Sequence, residues 1–287
     1  KLITAVMIPP LILAALVGVT AKYYWQPQYL SLEKTVLYEG DLLPVEEWVY
    51  LRGPYAPCDE ISALYQAPLS PQEIEAGCGQ SKPGEPVDIA IVGDSHAVHL
   101  FFGLAEALPK KNVAYFALAA KPPVDDGAEM TRIIDYIAQN PSIKTVILSA
   151  YWSSYGVSEE KFPDTLQRFA QSGKQVFVTD DLPDYPFTPD QCKYGISPIF
   201  PTARCSQDVE VFDATYSRYF AQLDQAISQV PGVRLLPTAK YFCDEAKCDM
   251  TRDGILLYAD DDHLNHQGSR FLAERLLENS PEFAQLP

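Results

Sequence analysis

The sequence is short of positive charge and of clustered cations. Against 38 Asp and Glu residues it has 22 Lys and Arg, which gives a formal net charge of −16 over 287 residues. No group of Lys and Arg interleaved with aromatic residues occurs along it. Because nucleic-acid binding depends on cations that neutralise phosphates, these shortages argue against a nucleic-acid partner.

The sequence also lacks the Cys-x-x-Cys spacing that is typical of zinc sites. Its six cysteines instead form three pairs that are close in sequence: Cys58/Cys78, Cys192/Cys205 and Cys243/Cys248. An even number in local pairs favours three disulfides, and disulfides indicate an oxidising compartment. The alternative is six unrelated thiols in a cytosolic protein.

Charge is absent from Leu2 to Thr20, a run of 19 apolar or small residues followed by an aromatic cluster at 23–25. Such a run is about long enough to cross a hydrocarbon core of ~30 Å. We predict a transmembrane helix within residues 1–22. The alternative is a signal peptide cleaved near Val19-Thr20-Ala21. Because there is no initiator Met, we expect the chain to begin inside a longer membrane protein.

The rest of the chain divides into a predicted linker at 23–86 and a catalytic domain at 87–287. The linker is rich in Pro and Tyr and lacks sustained periodicity. From residue 87 onward, apolar runs alternate with amphipathic segments, which predicts a three-layer α/β/α sandwich with a mostly parallel sheet. The predicted strands are 87–92, 112–118, 143–149, 174–179 and 233–236, and the predicted helices are 96–108, 128–139, 159–172, 209–230 and 266–279.

One strand of this pattern leads to a candidate nucleophile. The run Val87-Asp88-Ile89-Ala90-Ile91-Val92 ends in Gly93-Asp94-Ser95-His96, which predicts a strand, a glycine turn and a helix that begins near Ser95. Open α/β sheets bind ligands at the carboxyl ends of their strands, and a helix N-terminus favours negative charge. Ser95 is therefore the candidate nucleophile, and we expect Asp94 to cap the helix.

Histidine is scarce, and its distribution is uneven. The four histidines lie in two stretches, as His96 and His99 and as His263 and His266. Asp260 precedes His263 by three residues, so its carboxylate can accept a hydrogen bond from imidazole Nδ1 while Nε2 faces a serine. The sequence therefore predicts a triad of Ser95, His263 and Asp260.

These residues resemble a known superfamily. Gly93-Asp94-Ser95-His96 is similar to the first block of the SGNH (GDSL-like) hydrolases, and Asp260-x-x-His263 is similar to their last block. The intermediate blocks differ, because Ser149-Ala150-Tyr151-Trp152 replaces the usual Gly-x-Asn-Asp and Ala119-Ala120-Lys121-Pro122-Pro123 lacks the second-block glycine. The departures resemble the periplasmic SGNH domains fused to acyltransferase-type-three membrane proteins, which O-acetylate surface polysaccharide.

The missing Asn leaves the oxyanion hole incomplete. The N–H of Ser95 can supply one donor. Another must come from a backbone N–H near Ala120 or from the side chains of Tyr151 or Trp152, and the alternative for Trp152 is packing beneath the pocket rim.

The resemblance implies a serine acyltransferase that acetylates a surface polysaccharide such as lipopolysaccharide O-antigen. We expect it in the inner membrane with its catalytic domain in the periplasm. Its expected partners are a membrane acyltransferase portion in cis, an acetyl donor and a glycan acceptor, with no cofactor or metal. A carbohydrate acetyl esterase is the first alternative. The second is a metal-dependent hydrolase that uses the four histidines and the aspartates at 260–262.

Overall fold

A computed structural model describes residues 55–58, 64, 77–189, 205–253, 255–280 and 283 of the chain. The predicted transmembrane segment at 1–22 and Cys192 lie outside these residues. Within the described part, no helix combines the length and apolar composition needed to cross a membrane.

Between residues 89 and 236, strands and helices alternate as the sequence predicts, apart from one additional short strand at 206–208. The strands are β1 (Ala56–Pro57), β2 (Gly77–Gln80), β3 (Ile89–Gly93), β4 (Val113–Ala117), β5 (Thr145–Ser149), β6 (Gln175–Thr179), β7 (Ser206–Asp208), β8 (Val233–Leu236), β9 (Lys247–Asp249), β10 (Thr251–Arg252) and β11 (Ile255–Leu256). The helices are α1 (Ser95–Ala107), α2 (Ala128–Gln139), the short α3 (Trp152–Tyr155), α4 (Lys161–Gln171), α5 (Val209–Ser228) and α6 (His266–Asn279).

Seven of these strands form the central sheet in the order β1-β2-β4-β3-β5-β6-β8. The five strands from β4 to β8 in this order pair in parallel. Every residue of β3, β4 and β5 is buried, which is expected for a parallel sheet that is covered on both faces. The predicted mixed α/β fold with a mostly parallel sheet is therefore confirmed.

The helices form two groups. One group contains α1 and α6, which pack closely on each other, and the other contains α2, α4 and α5. The connection from β3 to β4 runs in one direction along the sheet, whereas the later crossovers run in the opposite direction. Right-handed crossovers therefore place the two groups on opposite faces, and the direction changes at β3, the strand that leads to Ser95.

The sheet extends beyond the predicted domain boundary at residue 87. Strand β2 pairs antiparallel with β4, and β1 pairs antiparallel with β2. A disulfide between Cys58 and Cys78 fastens this edge, since Cys78 lies within β2. Part of the predicted linker thus belongs to the sheet of the catalytic domain.

The remaining cysteines also bear on the predicted disulfides. Cys243 and Cys248 are bonded to each other, as predicted, and they lie in the segment before the Asp260 loop. Cys205 is disulfide-bonded. Its predicted partner, Cys192, lies outside the described residues.

Helices α1 and α6 approach closely because one position in α1 has no side chain. A Cβ atom on Gly103 would lie 2.0 Å from the carbonyl oxygen of Ser269 in α6. The Gly103 N–H donates to the Ser269 hydroxyl at 2.6 Å, and that hydroxyl donates to the carbonyl oxygen of His99. This packing holds α1, which begins at Ser95, against α6, which follows His263.

Candidate active site

Ser95 is the first residue of α1, directly beyond the carboxyl end of β3. The helix is capped by Asp94, whose Oδ1 accepts from the His96 N–H at 2.8 Å. The predicted cap is therefore confirmed. The position combines a strand end, a change of direction in the sheet and a helix N-terminus, where open α/β sheets bind ligands.

The turn before Ser95 requires glycine at position 93. A Cβ atom on Gly93 would lie 1.6 Å from the carbonyl oxygen of Ser149, at the end of β5. Any side chain would force β3 and β5 apart at this edge. Gly93 thus sets the distance between Ser95 and the loop that follows β5.

The structure brings Ser95, His263 and Asp260 together. The Ser95 Oγ lies 2.7 Å from His263 Nε2. On the other side of the ring, His263 Nδ1 lies 2.9 Å from Asp260 Oδ2 and 3.1 Å from Asp260 Oδ1. The contacts match those of a serine nucleophile, an imidazole base and an orienting carboxylate.

The loop at 257–265 orients His263 through its own backbone. Asp260 Oδ1 accepts from the His263 N–H at 2.7 Å, and the Ala259 N–H donates to the His263 carbonyl at 2.8 Å. Asn265 then caps α6 by accepting from the Gly268 N–H at 2.9 Å. The imidazole is therefore placed by a closed turn fixed to the start of a helix.

A second carboxylate, which the sequence placed only in the metal-dependent alternative, reaches His263. Asp262 Oδ1 lies 2.9 Å from His263 Nδ1, and Asp262 Oδ2 lies 3.5 Å from His96 Nε2. The other ring nitrogen of His96 lies 3.2 Å from Asp181 Oδ1, in the loop after β6. Only the folded chain joins these residues, because no spacing rule links positions 96, 181 and 262.

These contacts set the charge of both histidines. Burial lowers the pKa of His96, but its hydrogen bonds to Asp181 and Asp262 outweigh that effect and raise the pKa to about 10. Burial likewise opposes protonation of His263, while Asp260 and Asp262 raise the pKa of its imidazole well above the ordinary value of 6.5. The candidate base is therefore a strong one.

A comparison with known protein families identifies the family of this domain. The model of the family described as SGNH domain (fused to AT3 domains) matches residues 62–278. The chain belongs to this SGNH family. It is thus an enzyme of the acyltransferase or esterase type.

Several solved structures resemble the chain at low sequence identity. The periplasmic domain of a lipopolysaccharide acetyltransferase from Salmonella ser. Paratyphi A is 16% identical, has a TM-score of 0.58, and the match covers 84% of this chain and 95% of that one. The catalytic domain of Streptococcus pneumoniae peptidoglycan O-acetyltransferase A is 13% identical, with a TM-score of 0.37 and coverage of 70% and 96%. No curated protein matches the sequence. At 16% identity, the similarity to the Salmonella domain supports the fold alone.

Two side chains that replace the usual SGNH block-three residues are turned to other partners. The Trp152 indole is fully buried, and its Nε1–H donates to the Thr179 carbonyl at 2.9 Å. The Tyr151 hydroxyl donates to Asp184 Oδ2 at 2.8 Å. Burial and the Asp184 carboxylate raise the pKa of Tyr151, which keeps that proton in place. The side chains of Trp152 and Tyr151 are therefore excluded as oxyanion donors, because their hydrogens are donated to Thr179 and Asp184.

The remaining oxyanion candidate besides Ser95 is the backbone near Ala120. Ala120 is exposed in the loop after β4, with a positive φ of 55°. The start of this loop is fixed by the Leu118 N–H, which donates to the Gly93 carbonyl at 3.0 Å. The Ala120 loop thus begins beside Gly93, which lies two residues before Ser95.

The four-histidine metal set is not assembled as the alternative required. His266 Nε2 binds Glu106 Oε1 at 2.6 Å. His99 Nδ1 accepts from the Leu264 N–H at 3.3 Å, and burial, reinforced by the nearby charged histidines, lowers the pKa of His99 well below its ordinary value. Among the described residues, two groups could hold a metal ion, namely His96 with Asp262 and His263, and the three aspartates at 260–262. Neither group includes His99 or His266.

Proposed function

We propose that this SGNH domain transfers an acetyl group to a hydroxyl of a cell-surface polysaccharide, such as lipopolysaccharide O-antigen, through an acetyl-serine intermediate on Ser95. The observation that carries the proposal is the 2.7 Å contact between Ser95 Oγ and His263 Nε2, with Asp260 at Nδ1. Family membership supports it, since these domains are described as fused to AT3 domains.

In the first half of the reaction, Ser95 Oγ attacks the carbonyl carbon of the acetyl donor. His263 Nε2 takes the hydroxyl proton, and the imidazolium formed is stabilised by the carboxylate at Nδ1. The tetrahedral intermediate collapses to acetyl-Ser95 and releases the donor's leaving group, which takes the proton from His263.

In the second half, a sugar hydroxyl attacks the acetyl-Ser95 carbonyl and gives its proton to His263 Nε2. Collapse releases the acetylated glycan and returns the proton to Ser95 Oγ. Water in place of the sugar yields acetate, so the outcome depends on which nucleophile the site holds beside the ester.

The oxyanion of both intermediates requires preorganised donors. The Ser95 N–H at the start of α1 supplies one, helped by the field of the helix N-terminus. For the second we propose a backbone N–H of the loop at 119–121, centred on Ala120. This assignment is supported by the hydrogen bonds of the Trp152 and Tyr151 side chains, whose donors already bind other partners.

We further propose that the domain lies on the periplasmic side of the inner membrane and receives acetyl groups through an AT3 membrane portion in cis. The Salmonella neighbour is described as a periplasmic domain, which supports this location. A tether raises the effective concentration of donor and glycan at Ser95, so that the sugar competes with water. The runner-up function is a carbohydrate acetyl esterase that uses the same residues.

The two functions are separated by assaying polysaccharide acetylation with and without the membrane portion. The protein with its AT3 domain should acetylate the glycan in membranes, read as acetyl-ester signals by proton NMR, and Ser95→Ala should not. The 287-residue chain given a simple acetyl donor should release acetate but leave the glycan unmodified. Efficient transfer by the chain alone would refute the need for the cis partner, and release of acetyl from a pre-acetylated glycan would favour the esterase.

A further inference from the structure

The Nδ1 atom of His263 faces two carboxylates at the same distance. Asp260 Oδ2 and Asp262 Oδ1 each lie 2.9 Å from it. The two acids differ in exposure, since the Asp260 side chain is 42% exposed and the Asp262 side chain 15%. A charge that is more shielded from water is screened less, so Asp262 adds substantially to the effect that Asp260 has on the imidazole.

Asp262 is held in place from its other side by a buried histidine. His96 Nε2 lies 3.5 Å from Asp262 Oδ2, and His96 Nδ1 lies 3.2 Å from Asp181 Oδ1. The side chains of His96 and Asp181 are 2% and 0% exposed. Asp181 is itself fixed, because its carboxylate accepts from the N–H groups of Ser153 and Leu182, both at 3.0 Å.

The geometry favours a positive charge on His96. Both of its ring nitrogens face carboxylates, and only the protonated imidazole has an N–H on each nitrogen. The Tyr151 ring lies parallel to the imidazole at 5.0 Å and 10°, an arrangement that suits a cation. His96, which follows the nucleophile in sequence, is thus placed to act as a cation rather than as a second base.

We infer that His96 and Asp262 form a charged pair that positions His263 and strengthens it as a base, a role that rests on the proposed action of His263 on Ser95. The pair explains how two carboxylates share one side of an imidazole. Without a cation, the negative charge of Asp262 beside Asp260 would be repelled. With His96 between Asp262 and Asp181, the charges alternate from the loop after β6 to the reacting serine.

The charged and titratable neighbours of the pair come from four parts of the chain. Those that face His263 are Asp260, the more exposed Asp261 and Asp262 in its own loop, and Ser95, His96 and His99 in α1. Those that face His96 are Asp94, His99, Tyr151, Asp181 and Asp262. Burial would raise the pKa of Asp262, but His263 and His96 lower it below the ordinary value of 3.8, so this acid stays charged at neutral pH.

The four histidines make a direct test possible. In the 287-residue chain labelled with ¹⁵N-histidine, each imidazole gives its own NMR titration, assigned from the single variant that lacks it. The wild-type His96 signal should stay protonated until about pH 10. Asp262→Asn should lower the midpoints of both His263 and His96 by about one pH unit or more.

Asp261→Asn is the matched control, since it removes the same charge from the exposed neighbouring residue. It should move neither midpoint by a comparable amount. A neutral His96 at pH 7 in the wild type would overturn the inference without the Asp262→Asn variant, which covers the case in which that variant fails to fold. Equal midpoints in the two variants would overturn it as well.

The titration needs no turnover, so its result is independent of whether Ser95 is acetylated. A shifted His263 midpoint in a protein that never forms acetyl-Ser95 would uphold the pair and reject the proposed function. In an active protein, the pH profile of acetyl-ester hydrolysis should move to lower pH in Asp262→Asn and stay in place in Asp261→Asn.

Discussion

The backbone N–H of Tyr151 donates to the carboxylate of Asp94 at 2.9 Å. The residue before the candidate nucleophile therefore ties the end of β3 to the loop that follows β5. Because the other oxygen of the same carboxylate caps α1 through the His96 N–H, one buried side chain fixes both sides of the turn that holds Ser95.

We expect Asp94→Ala to cost about 2 kcal/mol or more of unfolding free energy, because it removes a helix cap and leaves the Tyr151 N–H without its acceptor. Asp94→Asn, which keeps one acceptor oxygen, should cost less. Asp164→Ala is the control, since that acid is exposed in the first turn of α4. Urea unfolding measures all three, and equal stability of Asp94→Ala and Asp164→Ala would contradict the role of Asp94.

Substitutions in the triad should separate the nucleophile and base from the orienting acid. Ser95→Ala and His263→Ala should each lower kcat for a small acetyl ester by about three orders of magnitude or more. Asp260→Asn should leave a trace of activity, because the base remains while its orientation is lost. Asp261→Ala changes the exposed neighbour and should keep near-normal activity. A loss equal to that of Asp260→Asn would contradict a specific orienting role for Asp260.

The parts of this arrangement that the sequence predicts are those encoded by local pattern. The run Ile89–Gly93 is apolar over its whole length and Thr145–Ser149 has an apolar centre, while α2 between them is amphipathic. The triad could be anticipated because Asp260 and His263 are one turn apart and Ser95 follows a strand.

The sequence could not predict features that depend on distant contacts. The contacts of His96 with Asp181 and Asp262 join residues that are 85 and 166 positions apart. Strand β2 has the sequence GCGQ, whose small residues show no strand periodicity, and a Cβ on Gly79 would contact the Tyr115 ring at 2.5 Å. For Trp152 the packing alternative proved correct, since its N–H finds the Thr179 carbonyl inside the fold.

Activity should rise with pH through a range above neutrality. The proposed base acts only when His263 is unprotonated, and the neighbouring carboxylates raise the pKa of His263 well above 6.5. The kcat/KM for an acetyl ester should therefore still increase beyond the pH at which an ordinary imidazole is fully deprotonated. A profile that reaches its plateau near pH 7 would contradict the contacts at Nδ1.

Stability should depend on pH in the opposite sense. The folded-state pKa of His96 is about 10 and the unfolded value about 6.5, so the contribution of its ion pairs is complete below about pH 6.5 and is lost as pH rises toward 10. Unfolding free energies measured from pH 6 to 10 should fall less steeply in His96→Asn than in the wild type. Parallel curves would show that His96 is not a folded-state cation.

The choice between the serine mechanism and the metal-dependent alternative can be made with a chelator. Because the proposed steps use only Ser95, His263 and the carboxylates at Nδ1, acetyl-ester hydrolysis should be unchanged after extensive EDTA treatment and dialysis. Loss of activity that added zinc or manganese restores would support the metal-dependent hydrolase.

The most direct measurement is the intact mass of the protein after rapid mixing with an activated acetyl ester and acid quench. The account predicts a mass increase of one acetyl group, which peptide mapping locates on Ser95 and which is absent from Ser95→Ala. In His263→Ala, a more reactive donor should still acetylate Ser95, and the acetyl group should accumulate because the base that promotes its removal is missing. An unmodified Ser95 during rapid turnover, or an acetyl group carried by another residue, would contradict it.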